Sequence, residues 1–472
     1  MSWREEYGRK LVSFEAAAAL VQPGDTVFTP IGGDARSMMP ALFARVVELD
    51  YRVRIRACSA TPAQEWFNDE FAMLPFDLNL EVFAGPTGRQ ALAGRRADFF
   101  PNLFSNQFNV YDHRDGQEPI DVFLAACTPP DERGYVHFGG QPWHKGDFTR
   151  RARTAILEVC PWLPDVPTTE YVHVSEVAAF VETALPERPA VARRDAPPET
   201  AAVAAHVNEV LRDGDTVQIG AGRTATHLVP EGLFEGKRDL GWHSEITPPG
   251  VVAAMMEGVL NGSRKTVDPG LHITTTVNPQ TPEEEEWLVH SGMLETRPVR
   301  EVNAIPAVAL QERMTSINNA FTVDLTGQIC AESLGTVIYN GTGGQPEFHI
   351  GAFIAPNGQA ITVLPSSALD GQASRIVPRV TDGAYVTVPR SFADYVVTEH
   401  GIAQLAGKSQ RQRADELIAI AHPDHQGELR AAARTLFYPP AEAPPAATPS
   451  SNGATAHADA TPVRENASID ER

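Results

Sequence analysis

Two stretches of sequence decide the fold: LVQPGDTVFTPIGGDARSMMPALF at residues 20–43 and VLRDGDTVQIGAGRTATHLVPEGLF at residues 210–234. Each reads as a helix end, a Gly-Asp turn, the β-branched start of a strand, a glycine-containing loop and a new helix. The repetition predicts two α/β domains built on one plan. Gly-Asp turns before strands are common, so chance similarity of one turn motif is the alternative.

Short apolar runs alternate with longer polar or amphipathic segments along the rest of the chain. In the first half the predicted strands are VRIRAC (53–58), LNLEVFA (78–84), DVFLAAC (121–127) and TAILEVC (154–160). In the second half they are TVQIGAG (216–222), FTVDLTGQI (321–329), FHIGAFIA (348–355), QAITVLPS (359–366), GAYVTV (383–388) and DYVVTE (394–399). Residues 411–437 are predicted as helices with a break at Pro423. This alternation favours mostly parallel sheets covered by helices.

Composition suggests where the domains begin and end. We expect a first domain over residues 1–185, a connection rich in Pro and Arg over 186–200, and a second domain over 201–437. The tail, residues 438–472, is rich in Pro, Ala, Ser and Thr and has almost no large apolar residues. Such a composition cannot bury a core, so disorder is expected, with docking onto a partner as the alternative.

The charge balance limits the choice of partners. The 472 residues carry a formal net charge of −21, which argues against nucleic acid or an anionic membrane surface as a main partner. A local cluster of N–H groups with a few Arg side chains can still hold an anionic ligand. The chain starts without an apolar targeting core, no run is long enough to span a bilayer, and the four cysteines form no CxxC pair. A cytoplasmic protein with reduced thiols is therefore expected.

Two glycine-rich loops in the second half are candidate binding elements. GAGRT (220–224) follows a predicted strand, where backbone N–H groups can face a phosphate or a carbonyl, although a plain tight turn is the alternative. YNGTGGQPEF (339–348) has three glycines in four positions, so its backbone can approach a ligand closely and point N–H groups at one oxygen. A flexible hairpin loop is the alternative for this second segment.

Three acidic residues compete as a candidate nucleophile. Glu245 lies in GWHSEITPPG (241–250), where a Glu that enters a Pro/Gly turn is ordinarily a solvated loop residue or a first-turn helix charge. Glu332 in CAESLG and Glu399 in VVTEHG also lie at the ends of apolar runs. Periodicity does not choose among the three.

Other chemistries find little support in the sequence. His422 and His425 have loose metal-like spacing but no third ligand in view, so no metal site is expected. The chain contains no G-x-S-x-G elbow for a serine hydrolase, and its cysteines lack an electropositive setting.

Several segments together resemble the acetyl-CoA hydrolase/transferase family, which includes 4-hydroxybutyrate CoA-transferases and succinyl-CoA:acetate CoA-transferases. In the second half they are GWHSE (241–245), INNAFTVDLTGQICAESLG (317–335), NGTGGQPEFHIGAF (340–353), SRIVPRV (374–380) and VTEHGIAQLAGKSQRQRADELIAIAHPD (397–424). In the first half they are GRRADFFP (94–101), CTPPDERGYVHFG (127–139) and YVHVSEV (171–177). The resemblance covers about residues 10 to 437 and implies two similar α/β domains with the active site in the cleft between them.

The resemblance also implies roles for individual residues. It places the nucleophile on Glu245 and the oxyanion glycines on Gly343 and Gly344. It places CoA contacts on Gly220, Ala221, Gly222, Arg223, Thr224 and Asn318. The implied activity is ping-pong transfer of CoA between an acyl-CoA and a carboxylic acid through an acyl-glutamyl anhydride and a glutamyl-CoA thioester, without a metal. An acyl-CoA hydrolase on the same glutamate and a non-catalytic CoA-binding protein are the alternatives, and a homodimer is compatible with the sequence.

The chain also departs from the family pattern, in segments where an acyl group or acceptor acid could lie. These are Ile246-Thr247-Pro248-Pro249, CPWLPD (160–165), NPQTPEEEEWLVHSG (278–292) and the first glycine loop, IGGDARSMMP (31–40). The departures argue against acetate or another short linear acid as the substrate, but they leave the implied nucleophile and oxyanion loop intact.

Overall fold

A computed structural model describes residues 2–187 and 195–439. The strands of the first half are β1 (Thr26–Thr29), β2 (Arg54–Ser59), β3 (Asp77–Phe83), β4 (Ala97–Phe99), β5 (Val122–Cys127), β6 (Tyr135–His137), β7 (Thr154–Val159), β8 (Tyr171–His173) and β9 (Ala179–Glu182). Seven of them form one sheet in the order β4-β3-β2-β1-β5-β7-β9. Every neighbouring pair in that sheet is parallel.

The second half repeats this arrangement. Its strands are β10 (Thr216–Ile219), β11 (Gly241–Thr247), β12 (His272–Val277), β13 (Leu294–Thr296), β14 (Met314–Asn319), β15 (Thr322–Asp324), β16 (Ile329–Cys330), β17 (Ser333–Leu334), β18 (Val337–Ile338), β19 (Gln359–Val363), β20 (Ser367–Ala368), β21 (Ala373–Ser374), β22 (Ile376–Val377), β23 (Tyr395–Thr398) and β24 (Gly401–Gln404). Eight of them form a sheet in the order β13-β12-β11-β10-β14-β19-β23-β24. Only the last pair, β23 with β24, is antiparallel. The prediction of an α/β fold with two mostly parallel sheets is confirmed.

Helices connect and cover these strands. In the first half they are α1 (Trp3–Lys10), α2 (Phe14–Ala18), α3 (Met39–Glu48), α4 (Gly85–Ala93), α5 (Gln107–His113) and α6 (Lys145–Arg151). In the second half they are α7 (Thr200–Val210), α8 (Val251–Met256), α9 (Pro282–His290), α10 (Val299–Val302), α11 (Ile305–Ala309), α12 (Gln345–Ile354), α13 (Gln410–Ala419) and α14 (Pro423–Phe437). None of the helices in the described part of the chain has the length and apolar character needed to cross a bilayer.

Burial explains the strongest sequence signals. All six residues of β5 and all six of β7 are buried, as expected for parallel strands covered on both faces. At the end of the chain Pro423 is the first residue of α14, where a missing N–H costs no helical hydrogen bond. The predicted break between the last two helices is therefore found at that proline.

Four local predictions were wrong. FHIGAFIA is predicted as a strand but lies mostly in α12, and FTVDLTGQI is split between the short strands β15 and β16. GAYVTV contributes only an isolated bridge between Val388 and Ile329. The helix predicted after GAGRT is a single 3₁₀ turn, Ala225–His227. Short buried helices and strands give similar apolar runs, which is why periodicity does not separate them.

The two halves touch through backbone and side chains. The Val277 N–H donates to the Gly140 carbonyl at 2.9 Å, and the Val299 N–H donates to the Trp143 carbonyl at 3.1 Å. Val299 is also buried within an aromatic-rich cluster of the first half. The limits 1–185, 186–200 and 201–437 remain predictions. Residues 188–194, in the predicted connection, and the tail beyond Pro439 lie outside the described residues.

Candidate active site

Glu245 lies inside β11, which runs between β10 and β12 in the centre of the second sheet. Its side chain is buried, with 6% of the residue exposed, and the strand continues two residues beyond it. The ordinary interpretation of this residue as a solvated loop or helix-start charge is therefore wrong. Ser244 and Ile246, on either side of Glu245, pair with Thr274 and Thr276 of β12, so Glu245 lies within a strand and not in a turn.

The amide of Asn303 contacts the Glu245 carboxyl directly. Its Nδ2 donates to Glu245 Oε2 at 2.5 Å and lies 3.4 Å from Glu347 Oε2. Asn303 is fully buried directly after α10, and its Oδ1 has no hydrogen-bond partner among the described residues. One side-chain amide thus donates to two carboxyl groups at the same time.

Glu347 is the second of these carboxyl groups and is fully buried in the first turn of α12. Its Oε1 accepts the backbone N–H of Ser105, from the first half of the chain, at 2.8 Å. Burial raises the pKa of Glu347 to about 7; the hydrogen bonds from Ser105 oppose this shift, and the nearby Glu245 adds to it. Burial likewise raises the pKa of Glu245 to about 7, against the lowering effect of the Asn303 hydrogen bond.

The glycine loop before α12 closes over Glu245. A Cβ atom added to Gly344 would lie 2.1 Å from Glu245 Oε2, so only glycine leaves room for the carboxyl there. Gly343 has a φ of 58°, a left-handed conformation that favours glycine, and it faces open space. The Gly341 N–H donates to the Val82 carbonyl of the first half at 2.5 Å. The loop is tied down and leads into a helix, so it is not a flexible hairpin.

The rival acids Glu332 and Glu399 are half-buried and have other partners. Glu332 Oε2 accepts from the Thr342 hydroxyl at 3.0 Å and so supports the glycine loop. Glu399 Oε2 accepts from the Ser366 N–H at 2.9 Å, and Glu399 Oε1 accepts from the Ser366 hydroxyl at 2.5 Å. Of the three candidate acids, Glu245 is the one that packs against Gly344.

The predicted CoA loop, Gly220 to Thr224, follows β10 and packs against the end of β14. A Cβ atom on Gly220 would lie 2.1 Å from Asn318 Oδ1, and a Cβ atom on Gly222 would lie 2.2 Å from Asn319 Oδ1. Asn318 is buried, and its amide exchanges two hydrogen bonds of 3.1 Å with the Gln218 amide. The loop backbone is therefore held at close range by two asparagine side chains.

The other loop residues differ in exposure. Ala221 and Arg223 are exposed, whereas Thr224 is buried. Ser244, the residue before Glu245, donates its hydroxyl to the Ile219 carbonyl at 3.3 Å, next to Gly220. The structure thus brings the predicted nucleophile, the predicted CoA loop and Asn318 to the same end of the second sheet.

Sequence reasoning missed Asn303, Glu347 and Ser105. Glu347 lies within the quoted GTGGQPEF segment, but nothing in that segment shows that it points at Glu245. Asn303 lies 58 residues from Glu245, and no motif marks it. Among residues 2–187 and 195–439, no group of three or more His, Cys, Asp or Glu side chains is placed to hold a metal ion.

Comparison with known proteins identifies relatives along almost the whole chain. A model of the acetyl-CoA hydrolase/transferase N-terminal domain matches residues 1–190, and a model of the C-terminal domain of the same family matches residues 285–433. The succinyl-CoA:cyclohexane-1-carboxylate CoA transferase of Geobacter metallireducens is 34% identical over 92% of this chain and 97% of the relative. The 4-hydroxybutyrate coenzyme A transferase of Clostridium kluyveri is 32% identical over 91% of this chain and 98% of the relative.

Solved structures of related proteins also superpose along almost the whole chain. RipA from Yersinia pestis superposes with a TM-score of 0.81 at 28% identity, over 92% of this chain and 99% of that chain. The 4-hydroxybutyrate CoA-transferase of Porphyromonas gingivalis superposes with a TM-score of 0.71 at 26% identity, over 92% of this chain and all of that chain. The prediction of a CoA-transferase enzyme is confirmed. The chain belongs to the acetyl-CoA hydrolase/transferase family.

Proposed function

We propose that this CoA-transferase moves CoA between an acyl-CoA and a carboxylic acid, with Glu245 as the covalent nucleophile. The observation that supports this most directly is the burial of the Glu245 carboxyl between the Asn303 amide and Gly344. A buried carboxylate has lost most of its water shell, so its ionised form is destabilised and its reactivity is raised.

The reaction proceeds in two matched halves. The Glu245 carboxylate attacks the thioester carbonyl, the C–S bond breaks, and CoA thiolate leaves an acyl-glutamyl anhydride. The thiolate then attacks the glutamyl carbonyl, which releases the first acid as its carboxylate and leaves a glutamyl-CoA thioester. An incoming carboxylate attacks that thioester and releases the thiolate, which takes the new acyl group and restores Glu245. Every step exchanges one acyl oxygen or sulfur bond for another, so no oxidant, reductant or metal is required.

Hydrogen-bond donors stand where negative charge develops. Asn303 Nδ2 already touches Glu245 Oε2, so it can stabilise the oxyanion that forms when the thiolate attacks the glutamyl carbonyl. The backbone at Gly343 and Gly344 is the second donor group, for the oxyanion on the substrate carbonyl. In enzymes of known mechanism, one such donor lowers the activation barrier by about 2.7–4 kcal/mol.

CoA itself is assigned to the loop Gly220 to Thr224 and to Asn318. Backbone N–H groups after a parallel strand favour an anionic or carbonyl partner, and the exposed Arg223 can pair with a CoA phosphate. Binding of the long CoA body supplies energy that presses the thioester against Glu245.

Burial also favours transfer over hydrolysis. Glu245 is 6% exposed, and both of its intermediates hydrolyse if water reaches them. The departures from the family pattern at IGGDARSMMP (31–40) and CPWLPD (160–165) support an acceptor acid larger than acetate. The names of the relatives do not choose the acid, because they include cyclohexane-1-carboxylate, 4-hydroxybutyrate and acetate.

Covalent trapping tests the proposal. The protein is incubated with butyryl-CoA and treated with borohydride, which reduces a glutamyl thioester to an alcohol, and the peptides are mapped by mass. We expect the modification on the peptide containing Glu245, only when acyl-CoA is present, and no exchange in the Glu245→Ala variant. Modification of Glu332 or Glu399, or ping-pong exchange by Glu245→Ala, would show that the nucleophile lies elsewhere.

A further inference from the structure

The first sheet has a glycine loop that corresponds in position to the proposed CoA loop of the second sheet. In both sheets the strand order reverses next to the first strand, between β1 and β5 in one and between β10 and β14 in the other. Ligands of open α/β sheets bind outside the carboxyl ends of the strands at such a reversal. The loop after β10 is the proposed CoA loop, whereas the loop after β1, which contains Gly32 and Gly33, has no role in the proposed reaction.

A cavity of about 110 Å³ lies at this second reversal point. One water molecule needs roughly 10–15 Å³ on the same measure, so the space holds several waters or one small molecule. Much of the wall is apolar and comes from Phe138, Trp162, Leu163, Pro164, Leu185 and Val277. Val277 belongs to β12, so the second half of the chain closes a cavity built largely by the first.

A buried cation lines this cavity. Lys145, the first residue of α6, is 1% exposed. Its Nζ donates to the Gln141 carbonyl at 2.8 Å and has no ion pair within 4.0 Å among the described residues. A buried ammonium group without a counter-ion is costly, and a bound anion would remove that cost.

The adjoining glycines leave space for the amine. A Cβ atom on Gly33 would lie 2.4 Å from Lys145 Nζ, and one on Gly32 would lie 2.6 Å from Gln141 Oε1. Both glycines have positive φ, at 57° and 59°. The loop after β1 is thus shaped around the lysine in the same way that the loop after β10 is shaped around two asparagines.

The acidic residues that line the cavity, Asp34 and Glu158, make no ion pair with Lys145 within 4.0 Å, although the Asp34 charge favours the charged lysine. Glu158 Oε2 already accepts the N–H groups of Ser37 and Met38 at 2.9 and 3.2 Å. Burial raises the pKa of Asp34, and the Thr61 hydrogen bond and the Arg36 and Lys145 charges oppose this shift. Burial lowers the pKa of Lys145 to about 7, and a bound anion would restore its charged form.

We propose that this cavity binds a small aliphatic carboxylic acid, with the carboxylate on Lys145 and the apolar body against the surrounding walls. The size of the cavity excludes CoA, and its apolar walls favour an acid with a short hydrocarbon part over an inorganic anion. The acid is either the acid of the transfer reaction or a separate regulatory acid, and the two share this chemistry. Binding can be measured without turnover, so the inference does not rest on the proposed function.

Binding of propionate is measured by saturation-transfer NMR on the Glu245→Ala protein without CoA. Lys145→Met in that background should weaken propionate binding at least fivefold, and neutral propionamide should bind poorly to the parent protein. Lys265→Met is the matched control, because Lys265 is also buried but donates to the Leu271 carbonyl in the second half, outside the cavity. If Lys145→Met proves unstable, Gln141→Glu places a negative charge at the cavity with the lysine intact, and it should weaken binding similarly. Unchanged propionate binding in these variants, or equal binding of propionamide, overturns the proposal.

Steady-state kinetics of the enzyme with Glu245 intact show whether the bound acid is the acid of the reaction or a regulatory acid. A higher KM for the acceptor acid in Lys145→Met, with an unchanged KM for acyl-CoA, identifies the acid of the reaction. Unchanged KM values with loss of inhibition or activation by a non-substrate acid identify a regulatory acid. Absence of any transfer by the unmodified protein would reject the proposed function and leave the binding result standing.

Discussion

At the scale of single residues, the site is built on two buried carboxyl groups that share one amide. Asn303 Nδ2 faces both Glu245 and Glu347, which explains why its Oδ1 can remain without a partner: two acceptors fix the orientation of the amide. The Glu245 charge adds to the raised pKa of Glu347, so ionising both carboxyl groups at once is unfavourable. The protein accepts this cost at the position of the proposed nucleophile.

Stability should therefore depend on pH through Glu245. The pKa of a Glu carboxyl in the unfolded chain is about 4.5, and burial raises the pKa of Glu245 in the folded protein to about 7. The folded state therefore holds more protons between these values and loses stability as pH rises through them. Glu245→Gln should raise the unfolding midpoint by a few degrees at pH 8 and change it little at pH 4. Thermal unfolding at both pH values measures this, and an equal shift at pH 4 and pH 8 would contradict it.

Turnover should follow the opposite trend with pH, because the carboxylate is the attacking form. We expect kcat to fall as pH is lowered through about 7, with a limiting slope of one proton if a single group controls attack. The pH profile of exchange at saturating substrates provides the measurement. A profile that is flat from pH 8 down to pH 5 would mean that Glu245 is ionised throughout.

Turnover should respond differently to substitution of the two glycines proposed to form the oxyanion site. Gly344→Ala puts a methyl group on the Glu245 carboxyl, so turnover should fall at least tenfold, which is about 1.4 kcal/mol or more. Gly343→Ala meets open space and adds only the strain of a left-handed alanine, so it is the matched control. Kinetics and circular dichroism of both variants separate the effects. Equal losses in the two would assign the defect to backbone strain.

At the scale of elements, α12 shows where sequence reasoning succeeds and where it stops. The glycine run before it was recognisable, because glycine is required where a backbone approaches another group closely. The helix itself was not, because Phe348, His349, Gly351 and Ala352 are all buried and leave no polar face. Such a run has no helical period, so it resembles a buried strand. Asn303 was out of reach for a different reason, because its contact with Glu245 exists only after β11 and α10 have packed together.

The loop after β10 should act through CoA alone. Arg223→Ala should raise the KM for acyl-CoA and leave the unfolding midpoint unchanged, because the side chain is exposed and the loop is held by Asn318 and Asn319. Arg238→Ala is the control, since that exposed arginine pairs with Asp213. A KM for acyl-CoA equal to that of the control would mean that Arg223 only faces solvent.

At the scale of the whole molecule, the second half is tied to the first by charge as well as by backbone. Arg300 contacts Asp147 and Glu170, two buried carboxyl groups of the first half that also contact Arg151 and Arg150. The doubled GDTV stretch predicted two α/β halves that open on one plan, but it did not predict the order of strands in either sheet. The contact surface between the two sheets could not be predicted from the sequence. Residues such as Arg300 carry no local signal of a partner more than a hundred positions away.

Removal of that arginine should weaken the whole structure. Arg300→Met leaves Asp147 and Glu170 each with one fewer partner, so the free energy of unfolding should fall by roughly 1–3 kcal/mol. Arg96→Met is the control, because its partner Asp69 is exposed and such pairs contribute little. Urea unfolding of both variants measures the two changes in the free energy of unfolding. A loss no larger than that of the control would mean that water replaces the contact.

The shared strand order of the two sheets has a consequence for ancestry. One sheet of seven strands and one of eight that share the strand order around β1 and β10 are the expected result of gene duplication and later divergence, and the proposed nucleophile lies in the second copy. Because every strand of the first sheet precedes every strand of the second, the halves could be encoded as separate polypeptides and mixed in solution. Two such fragments should find each other as subunits of a heterodimer, and the chain would then be a natural fusion of partners that once met by diffusion.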